Sequence, residues 1–197
     1  MRNRFLHLIE MEREWALEGK KARIVAKMNS LCDRDIIAAL YAASAAGVQI
    51  DLIIRGICCL KVGIPGISEN ITVRSIVGNF LEHSRIFYFY SDGREQIFMG
   101  SADWMPRNLD KRVEIVFPVE DEKIKEEVKH ILEIQLADNV KAHILQKDGT
   151  YEKIDKRGKQ LINSQEYFCE EATRRGMLPE NPIHDRIFVP AQAPEEA

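Results

Sequence analysis

Ala22-Arg23-Ile24-Val25-Ala26-Lys27-Met28 and, further on, Val48-Gln49-Ile50-Asp51-Leu52-Ile53-Ile54-Arg55 are the two strings that decide the fold. The first alternates: Ala22, Ile24, Ala26 and Met28 share one face, and Arg23, Val25 and Lys27 share the other. The second is a near-continuous apolar run, the pattern of a strand covered on both sides. Between them Ser30 or Asp33 offers a helix cap, Ile36, Ile37, Leu40 and Tyr41 form an apolar stripe, and Gly47 supplies the stop. Strand, helix and strand in so short a span predict a βαβ unit with parallel strands and a right-handed crossover. Ligands of such sheets sit outside the carboxyl ends of the strands. Asn29 and Arg55 stand at those ends. The expected class is α/β, a mixed sheet flanked by helices on both faces and starting with the βαβ unit.

Working outward, Phe5, Leu6, Ile9, Trp15 and Leu17 predict an amphipathic helix that ends at Gly19. Gly56 to Asn70 contains Gly63, Pro65 and Gly66 and reads as a long loop, with no G-x-x-x-x-G-K-[ST] phosphate loop in it. Ile71 to Leu81 is expected to be a helix carrying Arg74. His83 to Tyr90 and Gln96 to Gly100 read as a hairpin around Ser91-Asp92-Gly93. Arg112 to Val119 predicts another strand, with Val113, Ile115 and Phe117 on one face. Asp121 to Ala137 predicts a helix whose Ile124, Val128, Ile131, Leu132 and Leu136 face inward, with His130 on the surface. Val140 to Leu145 is expected at a sheet edge, Asp148-Gly149 as a turn, and Gln165 to Arg175 as a helix capped by Ser164. Residues 1–177 are expected to form one domain. Residues 178–197, with Pro179, Pro182, Pro190 and Pro194, are expected to be a loosely ordered tail.

Composition narrows the function classes. The chain has 197 residues, 45% apolar and 30% charged, with a net charge of −3. That balance is ordinary for a soluble domain and argues against a general nucleic-acid binder. From Arg55 to Arg112, however, eight Lys/Arg face six Asp/Glu, so the sign reverses locally. Cys32, Cys58, Cys59 and Cys169 make no C-x-x-C pair and read as reduced thiols of a cytoplasmic protein, without metal binding. The charged stretch from Arg2 to Lys21 reads as neither signal peptide nor membrane span.

The chemistry concentrates in Leu81-Glu82-His83-Ser84-Arg85 and Gly100-Ser101-Ala102-Asp103-Trp104. In an extended run His83 and Arg85 project side by side, a proton-transfer group beside a permanent fork of donors, which suits a phosphoryl group. Ser101 and Asp103 add a hydroxyl and a carboxylate at a strand end. Arg55, Arg107, Lys111 and Arg112 come within reach of one cleft if the fold converges. His-x-Arg alone is weak, since His184-Asp185-Arg186 repeats it, and a lone histidine before an apolar strand is more often structural.

Taken whole, Ile54-Arg55-Gly56-Ile57-Cys58-Cys59-Leu60, Gly66-Ile67-Ser68-Glu69-Asn70-Ile71, Phe80-Leu81-Glu82-His83-Ser84-Arg85-Ile86 and Gly100-Ser101-Ala102-Asp103-Trp104-Met105-Pro106-Arg107-Asn108-Leu109-Asp110 resemble the polyphosphate kinase family. The similarity runs from about Arg4 to Glu170 and points to the C-terminal catalytic domain, one half of a phospholipase-D-like pair. The resemblance implies reversible transfer of the terminal phosphate of ATP to inorganic polyphosphate. By the same token Arg55 and Arg112 match phosphate-contacting arginines, and His83 matches the second-half histidine at the ATP site. Gly100-Ser101-Ala102-Asp103 stands where such halves place G-S-x-N, and Arg85 where they place lysine. Arg85, Ser101, Asp103, Arg107 and Asn108 are supporting candidates.

The family's phosphorylated histidine lies in a His-x-Lys motif of the preceding domain. No histidine here has a lysine two residues on, and the Mg²⁺ ligands are likewise expected upstream, so no metal residue is assigned. The expected partners are ATP or ADP, polyphosphate, the remaining domains of the same enzyme and further copies of it, with no nucleic acid. Localisation is expected to be cytoplasmic, with membrane association as an option. The alternatives are a homodimeric phospholipase-D-like phosphodiesterase pairing two His83, and a non-catalytic nucleotide- or polyphosphate-binding fragment.

Overall fold

The computed structural model describes residues 1–177. Its frame is the expected βαβ unit. Strand β1 (Arg23–Met28) pairs in parallel with β2 (Gln49–Ile54), Ile24 opposite Ile50 and Met28 opposite Ile54. Helix α2 (Arg34–Ala45) crosses between them; the Asp33 carboxylate caps it at the Ile36 N–H, and Gly47 at φ 100° turns the chain out of it. Helix α1 (Arg2–Leu17) packs beside α2 on the same face.

One expectation is overturned here. Ile71–Ile76 forms a strand, β3, paired in parallel with β2, where a helix to Leu81 was predicted. Ile71, Thr72, Val73 and Ile76 are β-branched and lose rotamer freedom in a helix, while alternation sends Ile71 and Val73 to one core and Ile76 to the other. Beyond Ile76 the chain leaves regular structure, and Val77, Phe80 and Leu81 are exposed.

The hairpin is as expected. Strands β4 (Arg85–Phe89) and β5 (Gln96–Gly100) pair antiparallel around Ser91–Gly93, all three residues at positive φ. Strand β4 also lies antiparallel to β1, which brings its first residue to the carboxyl end of β1. The strand predicted from Arg112 shrinks to β6 (Val116–Pro118), because Val113 and Ile115 point into solvent rather than into a core.

Helix α3 (Glu122–Ala137) covers the second face with Val128 and Leu132, while Ile124 is half exposed rather than inward. Strand β7 (Ala142–Leu145) is internal, held between β3 and the unpredicted edge strand β8 (Tyr151–Lys153). The sheet order is β6-β5-β4-β1-β2-β3-β7-β8. Helix α4 (Ser164–Gly176) packs on α3, and His130, expected on the surface, is partly covered by Tyr167 and Phe168. Ser164 does not cap α4: Asn163 occupies that position, and the Ser164 hydroxyl donates to Asp138. The predicted tail, 178–197, lies outside the described residues.

The sheet separates two cores. The larger holds Phe5, Leu8, Ile9, Ile36, Leu40 and the alternate residues of β1, β2 and β4, with Trp104 stacked on Phe87 at 5.1 Å. The smaller lies under α3. Among the described residues no helix is long and apolar enough to cross a membrane.

Two substitutions probe this frame. The buried Asp138 carboxylate accepts from the N–H groups of Val140, Lys141, Ala142 and Ser164 and from the Ser164 hydroxyl. Asp138→Ala strands those donors and is expected to lower urea-unfolding stability by about 3–5 kcal/mol, with Asp138→Asn losing less. At Gly100, a Cβ would run into the Ile115 carbonyl oxygen and come within 2.9 Å of Val116 Cα. Gly100→Ala therefore pushes β6 off β5 and is expected to cost about 1–3 kcal/mol in the same measurement.

Candidate functional site

The carboxyl end of β1 runs into Asn29 and Ser30, and the chain then continues extended between two neighbours. Leu31 bridges in parallel to both Cys58 and Trp104. The Cys32 and Asp33 N–H groups donate to the Trp104 carbonyl, and the Cys59 N–H donates to that of Leu31. These ties gather the ends of β1, β2 and β5 around an open cleft of about 690 Å³.

Asp103 is the joint of that cleft. It is 4% exposed, and its Oδ1 accepts from the Asn29 N–H at 2.7 Å and from Arg85 Nε at 3.0 Å. Arg85 Nη2 reaches Oδ2 at 3.3 Å, so the buried guanidinium is neutralised within the site. Its remaining nitrogen, Nη1, donates to the His83 carbonyl at 2.6 Å. The same Nη1 lies 2.6 Å from His83 Nδ1 and 3.4 Å from Nε2. A donor in line with one ring nitrogen could not stand so near the other, because the two lone-pair directions diverge. The guanidinium therefore lies against the face of the ring, and His83 itself is exposed in the lining of the cleft.

On the opposite wall, Ser101 and the Asn108 amide both donate to Glu114. The Ser101 hydroxyl, followed by the Asn108 amide and Arg112, holds the Glu114 carboxyl below its ordinary value against the opposing effect of burial. Arg107 opens a single π-turn, Arg107–Lys111. Arg2 pins that turn by bridging Asp110 and Asp33, at 2.6 Å to Asp110 Oδ1 and 2.8 Å to Asp33 Oδ2. Arg107 and Arg112 themselves are exposed at the cleft mouth and make no ion pair with the described residues.

Of the residues singled out from sequence, His83, Arg85, Ser101, Asp103, Arg107, Asn108 and Arg112 line this one cleft. Arg55 does not. It lines a separate small cavity with Lys27 and Glu82 and reaches the cleft by donating to the Asn29 side chain. Glu114, Lys27 and Arg2 were missed as site residues. Glu114 and Arg2 carry no local signal, since each acts on partners far away in sequence. Lys27 did leave a trace: it is a lysine in a strand that the structure buries almost completely.

Three comparisons place this geometry among known proteins. A family model described as polyphosphate kinase C-terminal domain 2 matches residues 1–165. A polyphosphate kinase of Synechocystis sp. is 61% identical over 151 residues, covering 77% of this chain and 21% of that protein. The crystal structure of polyphosphate kinase from Porphyromonas gingivalis superposes with a TM-score of 0.85 at 41% identity, over 89% of this chain and 27% of that one. NucT from Helicobacter pylori, at 14% identity and a TM-score of 0.50, shares the fold alone. The chain thus spans about a fifth of the length of the curated relative from Synechocystis. With the model covering most of its length, the chain belongs to the polyphosphate kinase C-terminal domain family.

Proposed function

We propose that the chain is the C-terminal catalytic portion of a polyphosphate kinase and supplies one side of a site for reversible transfer of the ATP terminal phosphate to inorganic polyphosphate. The observation that carries this reading is the single cleft lined by His83 and by two arginines, Arg107 and Arg112, that make no ion pair among the described residues, while the third, Arg85, is cancelled by Asp103. Phosphoryl transfer depends more on charge placed around the equatorial and bridging oxygens than on covalent chemistry from the protein. In this reading Arg107 and Arg112 pair with phosphate oxygens. His83, exposed in the cleft, gives a proton to the bridging oxygen as it leaves and takes it back in the reverse direction. Arg55 acts from the neighbouring cavity by orienting Asn29.

The nucleophile belongs to the part of the enzyme upstream of this chain. The cleft's own acids do not suit Mg²⁺: Asp103 is committed to Arg85 and the Asn29 N–H, and Glu114 to Ser101 and Asn108. Partners in this reading are ATP, polyphosphate, the remaining domains and further copies of the enzyme, in the cytoplasm.

Alone, the chain is expected to bind tripolyphosphate without turnover. Arg107→Ala and Arg112→Ala should each weaken that binding on the order of tenfold in calorimetric titration and flatten its salt dependence. Joined to the upstream part, His83→Ala should reduce turnover by about 10²–10⁴. Unchanged affinity in both arginine variants would sink the proposal.

A further inference from the structure

Lys27 occupies the middle of the sheet, where its register partners on either side are Ile53 and Ile86. It is 3% exposed and packs among Val25, Ile53, Ile76 and Ile86, on a face that also carries Asp51 of β2 and Arg74 of β3. An aliphatic side chain there would avoid the cost of burying an ammonium. The ammonium is nevertheless well placed. Nζ donates to the Ser84 hydroxyl at 2.9 Å and to the Ser84 carbonyl at 3.1 Å, and lies 3.8 Å from the Glu82 carboxylate.

Those contacts fall on either side of His83. The segment from 77 to 84 has no regular structure, so its position depends on the side chains that grip it. Gln165 of α4 grips Phe80 through both backbone groups, at 3.0 Å to the N–H and 2.8 Å to the carbonyl. Arg85 holds the His83 carbonyl at 2.6 Å and the Gln135 amide donates to Glu82 at 3.3 Å, while Lys27 supplies the grip on Ser84 from β1. We propose that Lys27 is a positioning residue for His83, its ammonium anchoring residues 82–84 to β1 so that the imidazole stands at the cleft. This rests on the reading of the cleft as a phosphoryl site.

The surroundings make that anchor responsive to pH. Burial, reinforced by the charges of Arg85 and Arg55, outweighs the nearby Glu82 and brings the ammonium down from 10.5 to about 8. From α3 and α4, Glu127, His130, Glu171 and Arg175 line the groove on the far side of Ser84. Because the folded value is the lower one, the folded chain binds fewer protons than the unfolded chain between about 8 and 10.5. Stability therefore rises with pH through that window, and at neutral pH the charged lysine costs stability. A lysine kept for stability alone would have the opposite sign.

The test compares wild type, Lys27→Met, Lys27→Arg and Ser84→Ala in the chain as it stands, with inorganic tripolyphosphate as the probe. Lys27→Met is expected to weaken tripolyphosphate binding on the order of tenfold at neutral pH. It should also speed amide exchange of residues 82–84 several-fold, with a thermal midpoint unchanged or higher. Lys27→Arg should keep most of the affinity and protection. Ser84→Ala, which removes one acceptor from a partly exposed position, should give a smaller loss. In wild type the Ser84 amide resonance should shift with a midpoint near 8, and Lys27→Met should abolish that step.

Unchanged exchange at residues 82–84 in Lys27→Met, or a Ser84 titration step that persists there, overturns the proposal. So does an affinity loss fully matched by a lower thermal midpoint. Should wild type fail to bind tripolyphosphate, the phosphoryl reading fails separately, and amide exchange and the Ser84 step still decide whether Lys27 is the anchor.

Discussion

A single buried carboxylate holds the candidate site in one piece. Asp103 takes its hydrogen bonds from the backbone at the end of β1 and from the guanidinium at the start of β4, so three segments distant in sequence meet at one side chain. Neither charge could stand alone at that depth, since an unpaired buried ion costs several kcal/mol. Paired, they cancel. The consequence is that Arg85, which from sequence looks like a ligand for phosphate, is used to brace His83, and the free positive charge of the cleft moves outward to Arg107 and Arg112.

That division of labour explains the rest of the local architecture. The outer arginines need a platform, and the platform is a single π-turn whose Asp110 is tied by Arg2 to the cap of α2. The opposite wall needs a close strand approach, which Gly100 permits because nothing larger fits against the Ile115 carbonyl. Two further cations, Lys27 and Arg55, line a neighbouring small cavity with Glu82 and add positive potential near the cleft without lining it.

Apolar side chains are also exposed near the segments that carry the site. Val77, Phe80, Leu81, Val113 and Ile115 are exposed.

Much of this was legible in the residues themselves. Alternation in Ala22 to Met28, the apolar run to Arg55 and the Gly47 stop determined the βαβ unit, because a period of two and a period of 3.6 cannot be satisfied by the same pattern. The turn residues Ser91-Asp92-Gly93 determined the hairpin. The clustering of histidine, arginines, serine and aspartate between 83 and 112 marked the cleft. Ile71 to Ile76 was misread because short apolar runs suit either period until a neighbouring strand accepts their hydrogen bonds. Tertiary structure alone decided which arginine is neutralised, that Arg55 lines a neighbouring cavity rather than the cleft, and that Lys27 is buried beside Ser84. Each of those depends on a partner that contact across the fold supplies and local pattern cannot encode.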